Sequence, residues 1–66
     1  MRLVTLEHTK AIGYCNKGTR LWFEGRDRTF DQLRLEGIPV EWFRSTGDAM
    51  ALKLAEYVES LEVEHG

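Results

Sequence analysis

Asp48-Ala49-Met50-Ala51-Leu52-Lys53-Leu54-Ala55-Glu56-Tyr57-Val58-Glu59-Ser60-Leu61-Glu62 is the stretch that decides the fold class of this chain. Met50, Leu54, Tyr57, Val58 and Leu61 recur at the i, i+4, i+7, i+8, i+11 spacing of one helical face. Asp48 precedes them as a natural N-cap, because its carboxylate can accept from the unpaired amides of a first turn. The spacing predicts a helix over 49–62 with those five side chains inward, followed by an acidic tail, about 62–66, that frays.

Working back from this helix, the next signals are punctuation and caps. Ser45-Thr46-Gly47 closes a helical turn in which Val40 and Phe43 face inward, and Pro39 sits where a first-turn proline is tolerated. Thr29 followed by Gln32 has capping-box spacing and opens a short helix with Phe30 and Leu33 inward, ended by Gly37. Asn16 can cap a helix through about Phe23 or Glu24. That helix places Leu21 with Tyr14 and Gly18 on one side, Lys17, Arg20 and Glu24 on the other, and Trp22 at the boundary. Val4, His8, Ala11, Ile12 and Cys15 mark a first helix over about 5–13, with Thr5 as its cap. The competing reading is a strand at 1–6, favoured by Leu3, Val4 and Thr5 but short of a partner. The fold class that follows is all-α: one domain over 1–66, four to five short helices, a helix-turn-helix-like N-terminal half and a longer amphipathic C-terminal helix.

The chain has 66 residues, 42% of them hydrophobic, with one cysteine and one proline. Ordering it costs about 100 kcal/mol at about 1.5 kcal/mol per residue. Nearly all large apolar side chains must therefore share one core, and a deep enclosed active site is not expected. Cys15 has no partner for an internal disulfide. No stretch reaches the roughly 18 to 20 apolar residues of a membrane span, and the N-terminus lacks the apolar core of a signal peptide. A cytoplasmic protein is expected.

His8, His65 and Cys15 are not in any paired metal-ligand spacing, so no metal and no cofactor is expected. His8 reads as a core or interface histidine, and Cys15 as a small buried hydrophobe. Glu56, Glu59 and Glu62 fall on the solvated side of the last helix and not in an acid/base pair. Phosphate-cradling glycine motifs are missing, and no enzyme and no small-molecule substrate is expected.

Charge is more informative in its distribution than in its sum of −2. Residues 1–34 hold seven basic against four acidic groups, and residues 35–66 two against seven. Such asymmetry suits docking to a charged partner, and helix-dipole preference together with a solvated acidic C-terminal helix, the favoured explanation, would give it unaided. For nucleic acid, Lys17 and Arg20 on the second helix and Arg26 and Arg28 after it could reach phosphates, but the acidic second half would repel the duplex. For protein, Leu52 and Val63 project away from the apolar stripe of the last helix and Leu35 away from the Phe30/Leu33 face. Trp22 and Trp42 are aromatic groups flanked by charges, a usual form of interface anchor, and the competing reading is that both simply complete the small core.

Three short motifs in order carry a resemblance: Tyr14-Cys15-Asn16-Lys17-Gly18 with Arg20, Trp22 and Phe23; Gly37-Ile38-Pro39 with Glu41; and Thr46-Gly47-Asp48-Ala49-Met50-Ala51. Over about residues 5–54 the chain resembles a family of very small proteins encoded by tailed bacteriophages and prophages of Gram-negative bacteria. Members carry a His-Gly-Leu-Asp-like joint where this chain reads Glu24-Gly25-Arg26-Asp27-Arg28, so the display of Arg26 and Arg28 is not implied by the family. The resemblance supplies a setting, the infected or lysogenic cell or the virion, and no mechanism.

The expectation is a phage-encoded protein-interaction module without catalysis, a virion-assembly accessory factor or an inhibitor of a host protein. Lys17, Arg20, Trp42 and Leu52 would contact a phage or host protein, with a homo-oligomer compatible and no membrane partner. The alternative is a helix-turn-helix-like DNA-binding regulator that uses Lys17, Arg20, Arg26 and Arg28.

Overall fold

Side chains accept first-turn amides at the starts of the second, third and last helices, and the caps fix the chain's path. The computed structural model describes residues 2–65, with side chains through Leu61. Helix α1 (Leu6–Ala11) follows Thr5, whose N–H donates to His8 Nδ1 at 2.9 Å. Helix α2 (Asn16–Phe23) follows Cys15, whose Sγ accepts the Gly18 N–H at 3.3 Å. The cap is therefore Cys15 and not Asn16, and this cysteine is exposed, contrary to the buried position expected of it. Helix α3 (Phe30–Leu35) has the full capping box: Thr29 Oγ1 accepts the Gln32 N–H and Gln32 Oε1 accepts the Thr29 N–H.

The chain is not strictly all-α. Strand β1 (Leu3–Val4) pairs antiparallel with β2 (Ile38–Pro39), Leu3 opposite Pro39 and Val4 opposite Ile38. The strand reading of 1–6 thus holds in its middle, and its partner is the segment that was expected to start a helix. Pro39 ends β2 and caps α4 (Val40–Ser45), and the Val40 N–H donates to the Arg2 carbonyl at 3.0 Å. Gly37 is required twice here. Its φ of +83° disfavours a side chain, and a Cβ would lie 3.1 Å from the Leu3 Cβ.

Helix α5 (Ala49–His65) is capped by Asp48, whose Oδ2 accepts the Ala51 N–H at 3.1 Å. It packs chiefly on α4 and then on α1, while α2 packs on α3. The core comprises Val4, Phe23, Phe30, Leu33, Ile38, Val40, Phe43, Ala51, Leu54, Ala55 and Val58. Phe30, Leu33, Val40, Phe43, Leu54 and Val58 are inward as the sequence predicts. Met50 is exposed, and Tyr57 and Leu61 are half-buried. Ala51 and Ala55 take the inward stripe instead, because small side chains let α4 approach closely. Leu21 is also exposed; the inward face of α2 is Thr19 and Phe23. The buried hydroxyls of Thr9 and Thr19 bond the carbonyls of Leu6 and Cys15 at 2.7 and 2.8 Å, which removes the penalty of an unpaired buried polar atom.

Glu59 is half-buried and accepts from Arg44, with Arg2 at 3.8 Å, so it is a structural ion pair and not merely part of a solvated face. The expected fraying over about 62–66, and the assignments of Glu62, Val63 and His65, fall on side chains outside the described residues. No helix among the described residues is long and apolar enough to cross a membrane.

Candidate functional site

The last turn of α2 brings Trp22-Phe23 against Trp42-Phe43 of α4. All six ring pairs lie 5.0 to 6.3 Å apart between centroids, in edge-on and stacked arrangements. Such contacts add stability beyond the area they bury. Both tryptophans are half-buried, and both indole N–H groups have carboxylate acceptors. Trp22 donates to Asp48 Oδ2 and Trp42 to Asp27 Oδ1, each at 3.0 Å. Asp48 therefore caps α5 and anchors Trp22 at once. The Ala51 amide above all, then the Trp22 indole, the Met50 amide and the charge of Arg26, hold its carboxyl below the usual range against an opposing effect of burial.

On one side of this aromatic corner lies an apolar groove lined by Tyr14, Cys15, Gly18, Leu21, Trp22 and Met50. Leu21 is 56% and Met50 46% exposed, so two large aliphatic side chains, one from α2 and one from α5, stand in solvent along it. Tyr14 donates its hydroxyl to the Met50 carbonyl at 3.1 Å and so ties the α1–α2 connection to the start of α5. Burial, and next the charge of Asp48, raise the Tyr14 pKa above its ordinary value, which keeps that hydroxyl protonated and donating. Aliphatic groups converging on one groove differ from scattered exposed ones: a second surface could cover them together.

On another side of α2, where Gly25 turns the chain with a φ of +81°, an open cleft is lined by Arg20, Arg26 and Arg28 with Phe23, Phe30, Glu24 and Asp31. The Arg20 guanidinium lies over the Phe30 ring, 5.0 Å from its centroid. Arg26 stacks on Trp22 at 3.8 Å and donates its Nε–H to the Trp22 carbonyl at 2.9 Å.

Lys17, Arg20, Trp42 and Leu52 are not brought into one site. Lys17 is exposed one turn before Leu21 and lines neither the groove nor the cleft. Arg20 is in the cleft, and Trp42 is held in the aromatic corner by Asp27. Leu52 is half-buried and not free on the outer face of α5, and it projects about 200° around the helix from Met50. Arg20, Arg26 and Arg28, by contrast, do share one cleft. Sequence reasoning missed Leu21, Met50 and Tyr14 as a group. The signal was Leu21-Trp22-Phe23, three consecutive large apolar residues of which a helix can turn only part inward. Leu35, 68% exposed, stands off its core face as the sequence suggests.

Among the described residues no three His, Cys, Asp or Glu side chains converge as a metal site. No protein-family model matches the chain, and neither a curated protein nor a solved structure matches it.

Proposed function

We propose that this chain is a protein-interaction module without catalytic activity, and that the groove between α2 and the start of α5 is its docking surface. The observation that carries the reading is the convergence of Leu21 and Met50, both solvent-exposed, on a groove whose floor includes the half-buried Trp22. Anchors of this kind bury a large area for little lost freedom. Lys17, exposed one turn from Leu21, puts positive charge near the groove and suits a partner with acidic groups around an apolar segment.

The resemblance of three motifs to small tailed-phage and prophage proteins supports a phage setting, with a virion-assembly factor or a host-protein inhibitor as the role and the bacterial cytoplasm or virion as the place. The DNA-binding reading has less support: the most extensive packing of α1 is on α5 and that of α2 is on α3.

The experiment compares retention of phage structural proteins and host proteins by the immobilised chain and by the double variant Leu21→Ser, Met50→Ser. A protein held by the parent chain and lost by the variant, with unfolding midpoints that agree, supports the reading. Identical retention by both sinks it, as does turnover of any small substrate.

A further inference from the structure

We propose that the cleft between the end of α2 and the start of α3 binds a phosphoryl group through Arg20, Arg26 and Arg28. The inference is independent of the apolar groove and rests on how the arginines are partnered. Arg34 pairs with Asp31 at 3.2 Å, and Arg2 and Arg44 share Glu59. Arg20, Arg26 and Arg28 have no ion pair among the described residues, and all three line the same cleft. Of the nearby carboxylates, Asp31 is paired with Arg34, whereas Asp27 and Asp48 are oriented by the Trp42 and Trp22 indoles, and Asp48 lies within the electrostatic reach of Arg26. Glu24 is the one uncommitted carboxylate on the cleft wall. With Asp31 paired to Arg34, the three guanidiniums face only Glu24 as a further carboxylate on the cleft wall, and their forked N–H donors suit the several oxygens of a phosphoryl group.

Two of the three guanidiniums are held in place beforehand. Phe30 lies under Arg20 and Trp22 under Arg26, so aromatic faces occupy the planes of the two groups and leave edge N–H donors for oxygen acceptors. Arg26 spends only its Nε–H on the Trp22 carbonyl and keeps both terminal amino groups. Arg28 is half-buried on the same wall. Arg26 and Arg28, beyond the turn at Gly25, line the same cleft as Arg20. The same chemistry is offered by a free phosphate anion and by a phosphate on a nucleic-acid strand.

The test is a titration of the full ¹⁵N-labelled chain at low salt, following arginine Nε–Hε and backbone amide signals. The probes are inorganic pyrophosphate, a short oligothymidylate and, as control, an oligoglutamate. A saturable response to pyrophosphate or oligothymidylate centred on Arg20, Arg26, Arg28 and Thr29 is expected. Tighter binding of the oligonucleotide would make a strand the source, and equal or weaker binding a free anion. Arg20→Gln, at an exposed position, should weaken binding about tenfold, as loss of one charge-assisted contact does. Glu24→Gln should tighten it severalfold, a gain that misfolding cannot mimic, and Lys53→Gln on α5 should leave it unchanged. The proposal is overturned by the lack of a saturable response to either phosphate probe. It is equally overturned if oligoglutamate binds as tightly, if Lys53→Gln weakens binding as much as Arg20→Gln does, or if Glu24→Gln brings no gain.

Discussion

The two ends of the α4–α5 contact are built differently. Around β1, β2 and the inner face of α5, Val4, Ile38, Val40, Phe43 and Ala55 are at most 1% exposed and touch one another through hydrocarbon alone. At the α2 corner Phe23 and Phe43 are buried but the larger indoles are only half-covered, and carboxylates tie them in place, Asp48 on Trp22 and Asp27 on Trp42, while Tyr14 bonds the Met50 main chain. The first region spends its side chains on stability. The second spends polar bonds on holding bulky groups at the surface in fixed orientations, which is what a recognition surface needs and a core does not.

The contrast breaks hardest at Phe43, the side chain that belongs to both regions. Phe43→Ala should cost about 3–5 kcal/mol. A chain of this length holds about 3–10 kcal/mol in all, so the cooperative unfolding transition seen by circular dichroism should be largely lost. If a normal transition survives, the aromatic corner is an appendage to the core.

A smaller effect is expected at Asp48. Asp48→Ala removes the α5 cap and the Trp22 acceptor together and should lower stability by about 1–2 kcal/mol, with a change in tryptophan fluorescence because the indole N–H is released. Asp48→Asn keeps a capping oxygen and removes the charge. The folded-state pKa of Asp48 is depressed, so its contribution is present above the unfolded value near 3.9 and is lost as pH falls through the lower folded value. Urea midpoints between pH 6 and pH 3 should therefore fall less steeply for Asp48→Asn than for the parent chain.

The smallest effect lies at His8, away from the corner. Burial, opposed by the charge of Glu7, lowers its pKa, and its neutral Nδ1 accepts the Thr5 N–H. Folding thus favours the neutral ring: the contribution is full above about pH 6.5 and is lost as pH falls through the folded value. His8→Gln, which restores the usual capping-box residue, should change stability at pH 7.5 by less than about 1 kcal/mol. It should also flatten the dependence between pH 7 and 5, and an unaltered slope would show that His8 does not titrate with unfolding.

The caps made much of this fold legible. Thr5, Thr29 with Gln32, and Asp48 start helices where the sequence places them, and Gly37 stops one, since each rule depends on a local bond between near neighbours. The sheet was harder to read, because two-residue strands are too short to show a period of two, and Pro39 suits both a strand end and a helix start. Inward faces failed where small or hydroxylated residues are buried. Ala51, Ala55, Thr9 and Thr19 carry little hydropathy, yet they occupy the positions that let helices approach, which displaces Met50 and Leu21 outward. That displacement is why the groove was not legible: it is made of the residues that the core pattern had claimed. The three arginines were named from the sequence, but their sharing of one cleft depends on the path of the chain through the turn at Gly25.

The pairing of residues 3–4 with 38–39, under a core completed by Ala51, Leu54, Ala55 and Val58, has a consequence for how the molecule comes into being. During translation no early segment can finish on its own: the first strand waits for residue 39 to emerge, and the assembled half then waits for α5. The nascent polypeptide stays unsettled until α5 has left the ribosome, and the groove and the arginine cleft come into existence at that moment together.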